Sequence, residues 1–510
     1  MTRYDAWRFV KKILKAANDQ GPELIADIKN RLGSASIKPD RNDAARSDSR
    51  NRSAKRVSDW IRFGIYLLTP DDFDECGRHP LNEIYFLFAK GPKNLLNNPT
   101  ASILNSRRSK HVAPTDCWLR NTLSAVKEAI NEGYTIISSI GSIQYSVVTA
   151  ASKGTGLILV FDGPIPCMLN EDGWNDFIAS YSKMIDMDKT LFVSALGPGI
   201  SGSGSSPQVL RDRIVGLFSD VIFALDVRSG GNIDRLVKQA QKRNVILRKI
   251  EVDSATVPEP INKAVCISAN ESSQAPAILQ GPLRPHISGS CDIRICFSSF
   301  LGSWIVSDSN ALDWLETADA ALFHYTRRNS GPWPGQSYAD YVMSLINSEA
   351  GSSHTALDAV ARMWLEKRIR ASGTLIRRRI PVVSFTEVVP DRLSDIQKWR
   401  IGFCRWSFER YGVAVKRVCL IEKGARQVIY GSSVIYDDLA DNEKFLFQID
   451  RTTKYDWSIE KEWRVKGDLD LNTISIRDLA FLAPTEVEAR RLAEMIIIDN
   501  AMSDNHPGDL

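Results

Sequence analysis

The sequence lacks long hydrophobic runs. No stretch approaches the ~18 consecutive apolar residues that a membrane-spanning helix needs. The opening segment, MTRYDAWRFVKKILKAA, carries lysines where a secretory signal has an apolar centre. We therefore expect a cytoplasmic protein that has no membrane partner.

Closely spaced metal ligands are missing as well. The eight cysteines are scattered without a CxxC pair, and the chain has six histidines. Zinc sites need Cys and His ligands at short, regular spacings, and secreted disulfide scaffolds need a high density of cysteine. The pattern predicts no metal site and is typical of a reducing cytoplasm.

Charge of one sign is not in large excess. The net charge is +4 over 510 residues, which permits nucleic-acid binding without arguing for it. The content of 43% hydrophobic and 25% charged residues is that of a globular protein. A chain of this length predicts two to four domains.

Residues 71–255 alternate short apolar runs with helical stretches. Runs that are apolar throughout indicate strands buried on both faces, and hence a parallel sheet of five or six strands covered by helices. The predicted strands are residues 101–104, 134–140, 156–161, 191–196, 221–226 and 244–250. Helices are predicted over residues 119–130, 144–153, 207–218 and 232–243, the first with Thr115 as its N-cap and Gly133 as its stop.

From residue 316 onward the pattern changes to mixed helices and strands. It predicts a helix over 356–371, strands over 381–385, 412–421 and 427–431, and a last helix that opens with the capping box Thr485-x-x-Glu488. A further strand is predicted at 293–297.

The expected fold class is α/β, with a parallel-sheet Rossmann-like domain, an N-terminal helical extension and a C-terminal α+β domain. The predicted boundaries are residues 1–70 for a helical region with an Arg-rich linker, 71–255 for the Rossmann-like domain, 256–315 for a connector and 316–510 for the α+β domain.

The loops after the predicted parallel strands share a composition. They are NSRRSK, SIGSIQ, DGPIP, GPGISGSGSS and VRSGGN; four are rich in Gly or Ser, and two carry arginine. Small residues let backbone N–H groups approach a ligand, and helix N-termini favour anions. This edge of the sheet therefore predicts a phosphate site.

Three segments of this domain carry a family resemblance in their order. They are HPLNEIYFLFAKGPKNLLNNPTASILNSRRSK, NEGYTIISSIGS and VLRDRIVGLFSDVIFALDVRSGGNI. They resemble the DprA/Smf family of DNA-processing proteins, within the lysine-decarboxylase-like nucleotide-binding superfamily. The resemblance implies a basic pocket for single-stranded DNA that contains Arg107, Arg211, Arg213, Ser229 and Gly230.

Two positions depart from that family's pattern. Asn105 stands where the family has the first glycine of a loop, and Ile143-Gln144-Tyr145 replaces a GID element that is followed by a histidine. The ligand therefore stays open between single-stranded DNA and a nucleotide or nucleotide-derived signal. A Rossmann domain that serves only as a scaffold is a further alternative.

Three segments of the C-terminal region, LFHYTRR, PVVSFTE and EKEWRV, resemble ADP-ribosyltransferases of the DarT group and abortive-infection proteins. The resemblance implies NAD as the cofactor, with His324 holding the ribose, Ser384 or Thr386 supporting the site, and Glu462 as the carboxylate facing an oxocarbenium-like transition state. The residues alone equally allow a core histidine and a structural ion pair between Glu462 and Arg464.

Two basic clusters complete the pattern. One is RIRASGTLIRRR (368–379); the other combines Arg400, Arg405 and Arg410 with Trp399 and Trp406. Solvated helix faces explain many such runs, and a nucleic-acid surface is the alternative.

The two halves predict a bacterial anti-phage defence protein, in which a DprA-like module binds single-stranded DNA or a nucleotide signal and controls an NAD-using effector. Two alternatives stay open: a non-enzymatic DNA-binding mediator of recombination, and a nucleotide-processing enzyme with its site in the Rossmann half. The expected partners are the nucleic acid or nucleotide, a protein encoded in the same operon, and further copies of the chain in a homo-oligomer.

Overall fold

A computed structural model of the chain divides into two compact units. The first takes its described residues from Met1–Val252 and Gly331–Ser353, and the second from Asp253–Ser330 and His354–Leu510. The structure describes residues 60, 62–68, 72–73, 87–106, 111–197, 206–243, 245–248, 293–308, 311–317, 319–349, 351–374, 376–400, 405–452 and 455–504. The predicted helices and linker before residue 60, Arg107, and the predicted connector up to residue 292 lie outside the described residues.

An eight-stranded sheet forms the centre of the first unit. Its strands are β1 (Ile65–Leu68), β2 (Leu87–Lys90), β3 (Thr100–Asn105), β4 (Thr135–Ser139), β5 (Leu157–Val160), β6 (Thr190–Ser194), β7 (Val221–Leu225) and β8 (Ile246–Arg248), in the spatial order β1-β2-β6-β5-β4-β3-β7-β8. The strands from β6 to β8 in that order pair in parallel, and β2 and β1 extend the sheet antiparallel. The predicted parallel sheet and its Rossmann-like class are confirmed.

Helices cover both faces of this sheet, which is why its central strands β3, β4, β5 and β6 are buried along their whole length. The α-helices within the described residues are α1 (Cys117–Asn131), α2 (Ile143–Ala151), α3 (Glu171–Tyr181), α4 (Pro207–Phe218), α5 (Asn232–Gln241), α6 (Leu312–Leu315), α7 (Tyr338–Ile346), α8 (Ala356–Leu365), α9 (Leu393–Ile396), α10 (Arg417–Glu422), α11 (Ser433–Asp438) and α12 (Glu486–Asp504). In the first unit α1, α2, α3 and α7 bury apolar side chains against one face, and α4 and α5 against the other.

Helix α7 reaches the first unit from a distant part of the sequence. It belongs to the segment Gly331–Ser353, which interrupts the residues of the second unit along the chain. Its residues Val342 and Leu345 are fully buried in the core, and the Tyr338 hydroxyl donates to Ser146 Oγ on α2 (3.1 Å). The segment therefore completes one covering layer of the parallel sheet.

Helix α1 shows one error and one success of the sequence pattern. Its N-cap is Asp116 instead of the predicted Thr115, and the Asp116 carboxylate accepts from the Ala113 amide (3.1 Å) in the preceding turn. The helix ends at Asn131, after which Gly133 adopts a φ of +83°. Glycine takes this left-handed conformation without a Cβ clash, so the predicted stop is confirmed.

An antiparallel sheet forms the centre of the second unit. The strands of this unit are β9 (Ile293–Ser298), β10 (Ser303–Asp308), β11 (Ala321–Tyr325), β12 (Arg368–Ile369), β13 (Val382–Thr386), β14 (Trp399–Arg400), β15 (Arg405–Trp406), β16 (Gly412–Lys416), β17 (Arg426–Gln427), β18 (Ile429–Gly431), β19 (Phe447–Ile449), β20 (Arg451–Thr452), β21 (Tyr455–Asp456), β22 (Glu462–Lys466), β23 (Leu469–Asp470) and β24 (Leu479–Ala483). Eight of them form the sheet, in the order β17-β22-β13-β11-β16-β24-β10-β9. Helices α8 and α12 pack on one face and α6 and α9 on the other, which confirms the α+β class.

Two predicted elements of this unit are wrong in extent. The helix predicted over 356–371 ends at Leu365, because Lys367 adopts a φ of +48° and the chain then enters β12. The strand predicted over 412–421 stops at Lys416, and its second half is α10. A short apolar run such as VCLI fits a helix as well as a strand, so periodicity alone could not separate the two.

The last helix opens with half of its predicted capping box. Thr485 Oγ1 accepts from the Glu488 amide (3.4 Å) and its hydroxyl donates to Glu488 Oε2 (2.7 Å). The other carboxylate oxygen of Glu488 accepts from the Tyr411 hydroxyl (2.6 Å). The carboxylate thus ties the helix start to the sheet as well as to its own cap.

Two kinds of feature are absent from the described residues. None of the helices there combines the length and the apolar composition that crossing a bilayer requires. Within those residues, no group of three or more His, Cys, Asp or Glu side chains is placed to hold a metal ion.

Candidate functional site

Two loops of the first unit lie where the parallel sheet changes direction. From β3 the chain continues through β4, β5 and β6 on one side, whereas β7 and β8 lie on the other side of β3. The loops that follow β3 and β7 therefore diverge, and the crevice between such loops is the usual ligand position in an open parallel sheet. Ser106 begins the first loop, and residues 226–231 form the second.

A hydrogen bond joins these two loops. The Arg228 amide donates to Ser106 Oγ (2.6 Å), and Arg228 itself is exposed, as are Ser229 and Gly230. Helix α5 begins directly afterwards, with Gly231 as its N-cap. The exposed guanidinium and the partially positive end of α5 therefore lie at the same edge of the sheet.

One backbone amide of this loop already donates a hydrogen bond to a carboxylate of the protein. Gly230 has a φ of +75°, and its N–H donates to Asp234 Oδ2 (2.8 Å) in the first turn of α5. Lys238 and this amide lower the pKa of Asp234. The Asp234 carboxylate thus accepts the hydrogen bond that a phosphate oxygen would accept from the Gly230 N–H if a ligand were bound there.

Two buried polar atoms close to this edge have no hydrogen-bond partner within the described part of the chain. They are Asn105 Oδ1, at the end of β3, and Gln144 Nε2, in the first turn of α2; each residue is 7% exposed. Asn105 uses its other end, donating from Nδ2 to Thr122 Oγ1 (2.8 Å). Native proteins leave few such groups unpaired, and functional sites are one place where they occur.

These two residues are the positions at which the sequence departs from the DprA/Smf pattern. Both stand out in the sequence as replacements, but neither was predicted to be a site residue. The signal that could have found them is chemical: each puts an amide where the family has a small or different residue, beside a loop that is predicted to bind phosphate.

Arg211 is buried and bonded within the protein. It is 6% exposed, and its Nε and Nη2 donate to Asp212 Oδ1 (3.1 and 2.9 Å). Its Nη1 donates to the Ile140 carbonyl (3.2 Å) and lies 3.6 Å from Asp162 Oδ2. The guanidinium therefore fixes the start of α4 to the loops after β4 and β5. Its role is to hold these loops in place from inside the unit.

The remaining predicted phosphate residues divide by location. Arg213 is exposed on α4 two positions after Arg211, and a rotation of about 100° per residue turns it to the outer side of the helix. There it lies near Arg243, whose pKa is lowered by burial and by the charge of Arg213. The structure thus brings Ser229 and Gly230 to the crevice and places Arg213 elsewhere, while Arg107 lies outside the described residues.

The predicted NAD residues of the second unit lie on neighbouring strands but on two faces. The register places Phe323 on β11 opposite Thr386 on β13, and Thr386 opposite Glu462 on β22. Ser384 shares the face of Thr386 and Glu462, because side chains alternate along a strand. His324 points to the other face, where its ring lies 5.7 Å from that of Phe385. His324 therefore faces away from the other three predicted NAD residues.

Glu462 is held by a buried arginine. Its Oε1 accepts from Arg464 Nε (2.9 Å) and its Oε2 from Arg464 Nη2 (2.8 Å). Arg464 is 1% exposed, and its other N–H groups donate to the carbonyls of Phe445 and Phe447 and to Gln448 Oε1. These last bonds of Arg464 tie β22 to the chain around β19.

Thr386 and Ser384 both make hydrogen bonds within the protein. The Thr386 hydroxyl donates to the Glu460 carbonyl and accepts from the Val388 amide (3.0 Å). The Ser384 carbonyl accepts from His324 Nδ1 (2.8 Å). Because a carbonyl can only accept, the neutral imidazole of His324 carries its proton on Nδ1.

The half-buried ring of His324 predicts a pH dependence of stability. Desolvation lowers its pKa from 6.5 to about 4, against the opposing effect of the Ser384 carbonyl. Between these values the unfolded chain binds more protons than the folded one, so the free energy of unfolding falls as the pH drops. We expect a loss of up to about 3 kcal/mol between pH 6.5 and 4 from this residue.

Denaturant unfolding of the wild type and of His324→Asn measures this contribution. The asparagine keeps a donor for the Ser384 carbonyl but does not titrate. The wild type should lose more stability than the variant as the pH falls, and equal losses in the two proteins would contradict the prediction.

Comparisons with known proteins give a partial likeness. No family model and no curated protein sequence matches the chain. A solved structure of DNA processing protein A from Helicobacter pylori, described for its single-stranded DNA binding mode, is 18% identical, covering 39% of this chain and 84% of that one with a TM-score of 0.29. DNA processing protein A from Streptococcus pneumoniae is 16% identical, covering 47% and 88%, with a TM-score of 0.26. TM-scores of this size leave the site to be argued from the chain's own geometry.

Proposed function

We propose that the first unit binds the phosphate groups of single-stranded DNA in the crevice between the loops after β3 and β7. The observation that carries this proposal is the hydrogen bond from the Arg228 amide to Ser106 Oγ (2.6 Å). It fixes the backbone of the exposed Arg228, and with it the start of α5, beside the end of β3 at the switch point of the sheet.

The chemistry of the crevice suits a phosphodiester better than an isolated carboxylate. Arg228 offers a planar fork of N–H donors, which matches two phosphate oxygens. The Gly230 amide, now accepted by Asp234, becomes available to a phosphate if that side chain turns away. The unpaired Asn105 Oδ1 adds an acceptor for a base N–H near the same edge.

Arg228→Ala tests this site, with Arg213→Ala as the matched control. Both arginines are exposed in the same unit, but Arg213 lies on the outer side of α4. We expect Arg228→Ala to weaken oligothymidylate binding about tenfold. It should also reduce the slope of log affinity against log salt by about 0.7, as for one lost single-strand phosphate contact.

The control separates the geometry from the family resemblance. Arg213→Ala should leave affinity and salt slope unchanged if the crevice holds the phosphates. A weakening by Arg213→Ala alone would move the site to the outer face of α4. Competition by a mononucleotide as effective as the oligonucleotide would identify a nucleotide signal as the ligand of the same crevice.

An NAD-using effector in the second unit stays a prediction of the sequence resemblance. The same holds for anti-phage defence, a homo-oligomer and an operon-encoded partner. Nicotinamide release by the full chain, with and without oligonucleotide, is the measurement that addresses the effector directly.

A further inference from the structure

A small hairpin of the second unit presents two tryptophans to solvent. Strands β14 and β15 pair Trp399 with Trp406 and Arg400 with Arg405. The tryptophans are 49% and 40% exposed, and their rings meet edge to face with centroids 5.5 Å apart. Large aromatic side chains are costly to leave in water, so two that lie exposed in contact with each other indicate a candidate binding surface.

The other side of the same hairpin is basic. Side chains alternate along each strand, so Arg400 and Arg405 lie on the side opposite the tryptophans. Arg405 Nη1 donates to the Arg328 carbonyl (3.1 Å), which brings the hairpin to the segment after β11. Arg400 lies over the ring of Trp457, 5.6 Å from its centroid.

A third arginine joins this cluster from the segment after β11. Arg327 Nη1 donates to the Ser407 carbonyl (3.4 Å), one residue beyond β15. Desolvation, followed by the charges of Arg405 and Arg400, lowers the pKa of Arg327 to about 10. Burial lowers the pKa of Arg405, and the charge of Glu409 opposes this effect. Glu409 Oε1, however, accepts hydrogen bonds from the amide and Nε of Arg328.

Three cations held close together favour an anion between them. Each guanidinium repels the others, and an anionic ligand removes that repulsion and supplies acceptors in a fork geometry. The phosphates of a nucleic acid have oxygens that pair with arginine in this way.

We propose that Arg327, Arg400 and Arg405 with Trp399 and Trp406, here called the Trp–Arg hairpin, bind single-stranded nucleic acid. A strand that crosses the edge of the two-stranded ladder sets phosphates against the arginines and bases against the tryptophans. Unpaired bases are required, because the stacking faces of a duplex are already covered. Such a combination of cations and exposed aromatics is the common design of single-strand sites.

The Trp–Arg hairpin is separate from the crevice of the first unit. It goes beyond the proposed function, because it gives the second unit a nucleic-acid surface of its own. The full chain would then contact a nucleic acid through both units.

The test measures binding of a fluorescent oligothymidylate of about 20 nucleotides, long enough for more than one single-strand site. All variants are made in the Arg228→Ala background, which removes the proposed phosphate contact of the first unit. Replacing Arg327, Arg400 and Arg405 together by Gln should reduce the salt slope by about 2, as for three single-strand phosphate contacts. Trp399→Ala/Trp406→Ala should weaken binding by about tenfold or more, while Trp399→Phe/Trp406→Phe should retain most of the affinity.

A charge-matched control separates site binding from general attraction. Arg392, Arg426 and Arg491 are exposed arginines of the same unit outside the hairpin, and replacing all three by Gln should leave the salt slope nearly unchanged. Equal effects of the two triple variants would overturn the proposal. It would also be overturned if ADP displaced the oligonucleotide completely, because the surface would then hold a mononucleotide. Melting curves of every variant confirm that lost binding is not lost folding.

Discussion

Glu462→Gln is expected to lower the melting temperature of the second unit by roughly 6–12 °C, equivalent to about 3 kcal/mol. The side chain of Glu462 is 12% exposed and that of Arg464 is 1% exposed, so their bidentate pair is shielded from water. Glutamine keeps one acceptor but removes the negative charge. The buried guanidinium then loses its compensating charge, and breaking one partner of such a pair is more costly than the pair itself is stabilising.

The measurement is thermal unfolding of the wild type, Glu462→Gln and Glu494→Gln. Glu494 is exposed on α12 of the same unit, so its replacement should change the melting temperature by no more than about 1 °C. The family resemblance predicts a different result, in which NAD turnover is lost while the fold is intact. An unchanged melting temperature for Glu462→Gln would therefore contradict the structural role. It would leave the predicted role of Glu462 in NAD turnover as the alternative.

The sequence located the strands of the first unit well for a physical reason. Strands buried on both faces are apolar throughout, so runs such as LILV and VIFAL stand out from the helices between them. The order of loops at the carboxyl edge followed from the parallel class. Ser229 and Gly230 lie at that edge because they follow β7, and their position depends only on which strand they follow.

The direction in which each side chain points could not be predicted from these sequence patterns. Arg211 and Arg213 both follow a Gly/Ser-rich loop, yet one is bonded inside the unit and the other turns outward. His324 and Glu462 occupy adjacent regions of one sheet, but the register sets them on opposite faces. A shift of one residue reverses every side chain on a strand, and sequence patterns do not determine cross-strand register to that accuracy.

Asp212→Ala is expected to cost the first unit about 3–5 kcal/mol, because one carboxylate oxygen serves three donors. Asp212 Oδ1 accepts from Arg211 Nε (3.1 Å), from Arg211 Nη2 (2.9 Å) and from the Tyr145 hydroxyl (2.9 Å). Tyr145 is 7% exposed, and burial together with the Asp212 charge raises its pKa well above the ordinary value, so the phenol stays a neutral donor. Removal of the carboxylate leaves a buried cation and a buried hydroxyl with lost partners.

Chemical unfolding of Asp212→Ala and Asp212→Asn, with Asp176→Ala as an exposed control on α3, distinguishes charge from hydrogen bonding. Asparagine retains an acceptor at the Oδ1 position, so Asp212→Asn should keep the bond to Tyr145 and lose mainly the compensation of Arg211. Asp162 lies 3.6 Å from Arg211 Nη1 and supplies part of that compensation. The free energy of unfolding of Asp212→Asn should therefore lie between those of the wild type and Asp212→Ala. If Arg211 instead directs its charge toward a bound phosphate, Asp212→Ala should cost less than about 1 kcal/mol and should strengthen oligonucleotide binding by freeing the guanidinium. A large loss of stability without a gain in affinity identifies Arg211 as the residue that holds the crevice in shape, and leaves Arg228 to make the contact.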